Sequence, residues 1–239
     1  MTSNMLEILQ NAWTERSTLE KRILEEPWYE KPWGHIDFST ENKHQPDWDM
    51  NDQGRSSEII FTAIESAGVP LAYGGYGERR SVYQLSEHFR SASEPRSVHL
   101  GVDLWVPAGT PILCPWEGRV HSFRDNAGDL DYGPTVILEH ETSGVVWHTL
   151  YGHLSRGSLA GLTEGLGIER GARLVEVGDC AENGGWVPHL HFQVILDIGE
   201  WSGDYPGVST ETESAELLSN CPDPTDLLAP NLGGGRVLP

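Results

Sequence analysis

Leu6, Leu9, Trp13, Leu19, Ile23 and Leu24 recur near helical spacing in a charged segment that ends at Pro27, so the pattern predicts one or two amphipathic helices over residues 5–25. From Trp28 to Gly54 the chain turns to Trp, Pro, Asn, Asp and Gly, an irregular connector in which only Ile36 to Phe38 resembles a short strand. Residues 56–67 then have the pattern of a short helix stopped by Gly68.

From about Arg96 short β-type runs alternate with Gly, Pro and Asp: Leu104 to Val106, Pro111 to Cys114, Arg119 to Phe123, Thr135 to Glu139, Val145 to Tyr151, Ala172 to Val177 and His189 to Leu196. Many short, closely spaced strands imply an all-β sandwich or barrel. Beyond Trp201 the composition shifts to Ser, Glu, Pro and Gly, which predicts a surface-wrapping or partly disordered tail. The expected division is an N-terminal helical and irregular annex (1–75), a mainly β domain (76–200) and an extended C-terminal tail (201–239).

Charge and cysteine usage narrow the functions open to such a chain. The formal net charge is −20, from 36 acidic against 16 basic residues, which argues against nucleic acid, anionic lipid or an anionic wall as partner. Small or neutral substrates fit better. Cys114, Cys180 and Cys221 are far apart and odd in number, without Cys-x-x-Cys spacing, so a reducing compartment is expected. The N-terminus has no basic start followed by an apolar stretch, and no window approaches ~18 apolar residues. A cytoplasmic protein that neither is exported nor spans a membrane is the expectation.

Chemistry concentrates in a few histidines. In Val187-Pro188-His189-Leu190-His191-Phe192, two imidazoles at i and i+2 of a strand point to one face, where they can hold a metal or handle its water. Upstream, His99-Leu100-Gly101-Val102-Asp103 supplies an imidazole and a carboxylate, both ordinary zinc ligands. A straight strand would separate the Cα atoms of that dyad by roughly 13 Å, so the two converge only if the chain bends, as Gly101 permits. One histidine of the 189/191 pair would complete the three protein ligands of a catalytic zinc, and the other would sit beside its water. His153, where an apolar strand ends in Gly152, is a further candidate. The remaining histidines (His35, His44, His88, His121, His140 and His148) carry no assigned role, because an isolated strand-end histidine is usually solvated or hydrogen-bonded.

These motifs, together with Pro107 to Pro111, Gly118 to Val120, Tyr151 to Leu154 and Pro188 to Phe192, resemble the lysostaphin-type (LytM-like) zinc metallopeptidases over roughly residues 96–196. The resemblance implies a two-layered antiparallel β-sandwich and one Zn2+ per chain on His99, Asp103 and His191. It makes His153 and His189 the catalytic histidines around the water and the developing oxyanion, and a peptide or small amide the substrate of a metalloendopeptidase-type hydrolase. A departure lies at 178–188, where Glu182, Asn183 and Trp186 stand in place of the small Gly/Ser/Thr loop of many members. Trp186 is a candidate cleft wall. Gly74 to Arg79, Asn183 to Gln193 and Cys221-Pro-Asp-Pro resemble a subgroup, some of whose domains lie in larger cytosolic proteins beside aminotransferase-like domains. Glu78, Arg79 and Arg80 read either as cleft lining or as a charged, solvated turn.

Two other functions fit parts of the sequence. A non-catalytic, zinc-containing ligand-binding module of the same fold would use the same ligands without turnover. A lipoyl- or biotinyl-type carrier would match the Gly-punctuated runs at Pro107 and Gly171, but no lysine follows Lys43, so the attachment residue is missing.

Overall fold

The computed structural model describes residues 2–15, 22–43, 52–80, 94–228 and 232–237. Among them the chain runs α1 (Thr2–Glu15), β1 (Trp33–His35), α2 (Gln53–Ser66), β2 (Ala72–Gly74), β3 (Arg96–His99), β4 (Val102–Trp105), β5 (Pro111–Leu113) and β6 (Gly118–Asn126). It continues through β7 (Gly133–Thr142), β8 (Val145–Gly152), β9 (Gly167–Ile168), β10 (Arg173–Glu176), β11 (Leu190–Ile195), β12 (Val208–Thr210), α3 (Glu211–Asn220) and β13 (Leu232–Arg236). The mainly β class is as expected. The strands divide between one nine-stranded sheet, ordered β13-β1-β2-β4-β11-β8-β7-β6-β9, and the ribbons β5–β10 and β3–β12.

Antiparallel pairing holds from β2–β4 across to β6–β9, while β1 adds parallel neighbours on both its sides, β2 and β13. The mixed edge has a simple cause. β1 and β2 are joined through α2, the kind of long crossover that parallel strands require. The first 75 residues therefore contribute strands to the main sheet.

Alternation along the central strands sorts the chain onto two faces. Val102, Leu104, Val136, Leu138, Trp147, Tyr151, Leu190, Phe192 and Val194 point to one side and join Leu9 and Trp13 of α1 in the largest core. Trp13 and Trp147 meet with ring centroids 5.4 Å apart, and Trp116 meets Trp147 at 5.8 Å. The opposite side carries Ile137, Leu150 and Ile195, packed with Tyr132, Tyr205 and Cys221. Asp103 and His191 lie on this second side.

Two expectations at the ends of the chain are corrected. Of the one or two helices expected over residues 5–25, α1 ends at Glu15; residues 16–21 lie outside the described residues, and Ile23 and Leu24 are buried in a bend, not in a helix. There Ile23 is held by Leu113, whose N–H donates to the Ile23 carbonyl at 2.8 Å, and by the Tyr29 hydroxyl, which accepts from the Ile23 N–H at 2.9 Å. The tail from residue 201 is not simply extended. Thr210 caps α3 by accepting from the Glu213 N–H at 3.2 Å while donating to the Glu213 carboxylate at 2.8 Å, a Thr-x-x-Glu capping arrangement. Cys221, Leu227 and Leu228 then bury completely or nearly so. The strand expected at Ile36 to Phe38 falls slightly earlier, at Trp33–His35. The helix expected at 56–67 is α2, capped by Asp52 accepting from the Arg55 N–H at 2.9 Å, and the chain turns into a positive φ of 69° at Gly68. No described helix is long and apolar enough to cross a membrane.

His140 is buried behind the sheet, stacked on Trp147, with Nδ1 donating to the Glu117 carbonyl at 2.9 Å and Nε2 2.8 Å from the Thr149 hydroxyl. Burial pushes its pKa down to about 4, and burial with the adjacent His121 does the same for His148. Such groups protonate more readily in the unfolded chain, so their stabilising contribution is full above the unfolded value of about 6.5 and declines as pH falls toward about 4. Urea unfolding should show a stability that is flat from pH 7.5 to about 6.5 and then falls toward pH 4.5, by roughly 1 kcal/mol per pH unit at most for each buried histidine. A His140→Gln variant should have a shallower slope by about one histidine's share; an unchanged slope would refute this account of its burial.

Candidate metal centre

β4 and β11 are hydrogen-bonded neighbours in a register that sets Asp103 directly opposite His191. His99 arrives from another direction. β3 belongs to the small ribbon with β12, and the chain passes from that ribbon into the main sheet through Leu100 and Gly101, where strand structure is interrupted. That break folds His99 back to within 3.3 Å of Asp103, Nε2 to Oδ1. Gly101 matters here for space more than for backbone freedom. A Cβ on it would lie 2.8 Å from the His191 ring and 2.7 Å from the Phe192 carbonyl.

The three donor atoms form a small triangle: His99 Nε2 to His191 Nδ1 2.9 Å, and Asp103 Oδ1 3.3 Å from each. A tetrahedron with bonds of about 2.0–2.1 Å has edges of about 3.3–3.4 Å, so the triangle is close to one face of a zinc coordination shell. All three side chains are buried. These are the residues named from the sequence as ligands, and together they can hold a metal ion.

Hydrogen bonds behind each ring determine which nitrogen faces inward. The Gly75 carbonyl lies 2.9 Å from His99 Nδ1, and a carbonyl only accepts, so the proton is on Nδ1 and Nε2 presents a lone pair. For His191 the arrangement is reversed. The Gln193 amide donates through Nε2 to the Pro206 carbonyl at 3.1 Å, which turns its Oε1 toward His191 Nε2 at 2.9 Å and leaves Nδ1 bare. Two lone pairs and a carboxylate oxygen thus converge at about 3 Å, and Asp103 Oδ1 has no hydrogen-bond partner. A buried acceptor cluster of this kind is unfavourable by itself and is resolved by a shared cation. The donor set therefore fits a metal.

His189 and His153 stand beside this triangle. His189 Nδ1 donates to the Val187 carbonyl at 2.6 Å, and its Nε2 lies 3.7 Å from Asp103 Oδ1. His153 sits in the left-handed region at φ 61°, and its Nδ1 donates to the Asn183 carbonyl at 3.0 Å. The two rings are 4.4 Å apart, centroid to centroid. Trp186 packs against both, its indole N–H donating to the Asp131 carbonyl at 3.1 Å. Asn183, fully buried, holds that loop by accepting from the Trp186 N–H and donating to the Trp186 carbonyl.

The electrostatics follow from burial. Burial alone would raise the Asp103 carboxyl, but the surrounding charge, of which the Arg80 guanidinium is the part present at pH 7, outweighs it and holds Asp103 well below its ordinary value. Burial, reinforced by Arg80, lowers His99 to about 4; burial lowers His189, and burial with the neighbouring histidines lowers His153 well below its usual range. These three rings are neutral at pH 7, the form in which they ligate metals or accept protons.

Two neighbours go unmarked in the sequence, and a third carries a different reading there. Gln193 follows His191 by two residues on the same strand face, a spacing that could have flagged it. Tyr132, whose hydroxyl lies 3.4 Å from His191 Nε2, left no local signal. Arg80 was read as cleft lining or solvated turn and is neither. Its guanidinium is buried and bonded to Asp103 Oδ2 at 2.6 Å, whereas Arg79 is exposed and paired with Glu211. Of the histidines without an assigned role, His44 and His88 lie outside the described residues.

Residues 97–201 match the model of peptidase family M23. A Haemophilus influenzae protein named an uncharacterized metalloprotease is 33% identical over 122 residues, covering 49% of this chain and 23% of that protein. Among solved structures, a zinc-containing peptidase from Vibrio cholerae is 28% identical, covering 41% of this chain and 27% of that one, with a TM-score of 0.34. The catalytic domain of lysostaphin from Staphylococcus simulans is 21% identical, covering 69% of this chain and 96% of that one, with a TM-score of 0.43. The chain thus spans about a quarter of the length of the Haemophilus and Vibrio proteins. His99, Asp103, His153, His189 and His191 all fall inside the matched segment, and the chain carries a peptidase family M23 (LytM-like) domain.

Proposed function

We propose that the chain is a zinc-dependent hydrolase of the metalloendopeptidase type, cleaving a peptide or related amide bond. The observation that supports this most is the convergence of two bare imidazole nitrogens and an orphaned carboxylate oxygen at tetrahedral edge distances, with two further neutral imidazoles beside them. The family match and the metalloprotease relative agree with it. Two imidazoles and one carboxylate are a zinc donor set, and three protein ligands leave a position open for chemistry.

His99, Asp103 and His191 would hold the ion. Bound there, zinc supplies Lewis acidity toward the scissile carbonyl and lowers the pKa of a water at the site. The remaining work falls to the chain. His189 and His153, each with Nδ1 locked on a backbone carbonyl, present neutral Nε2 atoms able to take a proton from water and return it to the leaving amine. Either ring, once protonated, also donates a hydrogen bond to a developing oxyanion. Trp186 packs against both rings.

Purified protein should contain about one zinc per chain by elemental analysis, and Asp103→Ala should lose it. His189→Ala should retain zinc while hydrolysis of cell-extract peptides, followed by mass spectrometry, falls by roughly 10²–10⁴-fold. Full activity in that variant would remove His189 from the mechanism. Zinc retention with no hydrolysis of any peptide or amide by the wild type would instead favour the ligand-binding module.

Asn183→Ala should leave zinc content unchanged, because it touches no ligand, but should reduce turnover by roughly 10–100-fold through displacement of the loop that orients His153 and carries Trp186. Undiminished turnover would show that the loop holds its shape without that amide.

A further inference from the structure

Residues 74–80, Gly-Gly-Tyr-Gly-Glu-Arg-Arg, lie upstream of the matched family segment and yet touch two of the three ligands. Gly74 pairs with Asp103 at the end of β2. The next residues run antiparallel beside β3: Gly77 N–H donates to the His99 carbonyl at 2.9 Å, the His99 N–H to the Glu78 carbonyl at 3.0 Å, and the Arg80 N–H to the Ser97 carbonyl at 2.9 Å. This places the Gly75 carbonyl on His99 Nδ1 and the Arg80 guanidinium on Asp103 Oδ2.

Arg80 is itself tightly held. Its Nε donates to Glu78 Oε2 at 2.6 Å, and Glu78 Oε1 accepts from the Phe38 N–H at 2.8 Å. The guanidinium carbon lies 5.9 Å from the ring centroids of both Phe38 and Trp105. Gly75 leaves room for it. The φ there is +100°, and a Cβ would run into the guanidinium. Glu78, Arg80 and Asp103 are each at most 8% exposed in their side chains, so this is a buried Glu–Arg–Asp chain.

A chain serving only to stabilise the fold would satisfy both carboxylate oxygens of Asp103. Here Arg80 takes Oδ2 alone, and Oδ1 is left facing the two imidazoles without a partner. We propose that residues 74–80 are a positioning strap for the metal centre, in which Arg80, fixed by Glu78, holds Asp103 as a single-oxygen ligand and the Gly75 carbonyl sets the His99 tautomer. The inference rests on the metal-centre reading above. Arg80 acts through Asp103; it is a positioning residue, not a catalytic one.

The test compares the full chain with Arg80→Lys, Glu78→Gln and Arg79→Ala, reading zinc affinity by chelator competition and coordination by the absorption spectrum of the cobalt(II)-loaded protein. Lysine keeps the charge but lacks the planar fork that spans Asp103 and Glu78 together. Arg80→Lys should weaken zinc binding by roughly 10–100-fold and weaken the cobalt bands as the freed carboxylate swings toward two-oxygen ligation. Glu78→Gln should shift both readouts the same way by a smaller amount, and it carries the test if metal-free Arg80→Lys proves unfolded by circular dichroism. Arg79→Ala, exposed and paired elsewhere, should match the wild type. Wild-type zinc binding with both Arg80→Lys and Glu78→Gln within about threefold and spectrally unchanged overturns the strap while leaving the metal centre intact. Absence of zinc binding by the wild type overturns both.

Discussion

The register between β4 and β11 is the constraint on which the rest of the site depends. It sets Asp103 opposite His191, and because side chains alternate along a strand, a slip of one residue on either strand would carry Asp103 or His191 into the apolar core. What fixes the register is the other face. Val102, Leu104, Leu190, Phe192 and Val194 bury there against α1 and the Trp147 cluster, so the hydrophobic core on one side dictates the polar arrangement on the other. Burial at about 25 cal/mol per Å² of apolar surface makes such a slip costly for every residue in the two strands at once. The site inherits its precision from packing that never touches it.

A second constraint is electrostatic. Three acceptors facing one another in a buried space need support from behind, and the chain supplies it chiefly from backbone carbonyls. The Gly75, Val187 and Asn183 carbonyls orient His99, His189 and His153, while Gln193 orients His191. Backbone oxygens cannot be titrated and move only with their element, so the tautomers persist across pH as long as the surrounding segments stay in place. This explains why residues 74–80 and the segment just before β11 have so specific a shape. The 178–188 loop, with its Asn183 brace, supports His153 and His189 much as residues 74–80 support His99 and Asp103.

How much of this was legible in the sequence depended on whether the signal was local. The β-type runs, the helix before Gly68 and the five histidine and aspartate positions were all marked by periodicity or motif, and the demand for a bend between His99 and Asp103 followed from strand geometry alone. The cause of the bend was not legible, because it is a transfer of chain from the β3–β12 ribbon into the main sheet, and β12 lies more than a hundred residues away. Ile23 and Leu24 continued a helical spacing but are buried by pairing with β5 and by the Tyr29 hydroxyl, a tertiary override of local pattern. α3 did have a local signature in Thr210 and Glu213, hidden within a Ser- and Glu-rich stretch whose composition suggested disorder. Arg80 was the hardest case. A Glu-Arg-Arg run is ordinarily a solvated turn, and only the approach of β2 to β4 shows that one arginine turns inward while its neighbour turns out.

That approach also changes the meaning of the first 80 residues. β2 pairs with β4 along the strand that carries Asp103, and β1 and β13 extend the sheet beyond it. Without β2, β4 would become an open edge beside Asp103, with unpaired amides and carbonyls at the point where position matters most. Phe38 would no longer hold Glu78, and Glu78 would no longer hold Arg80. The N-terminal segment is therefore part of the scaffold around Asp103, to which a continuous path of hydrogen bonds runs from the Phe38 amide through Glu78 and Arg80.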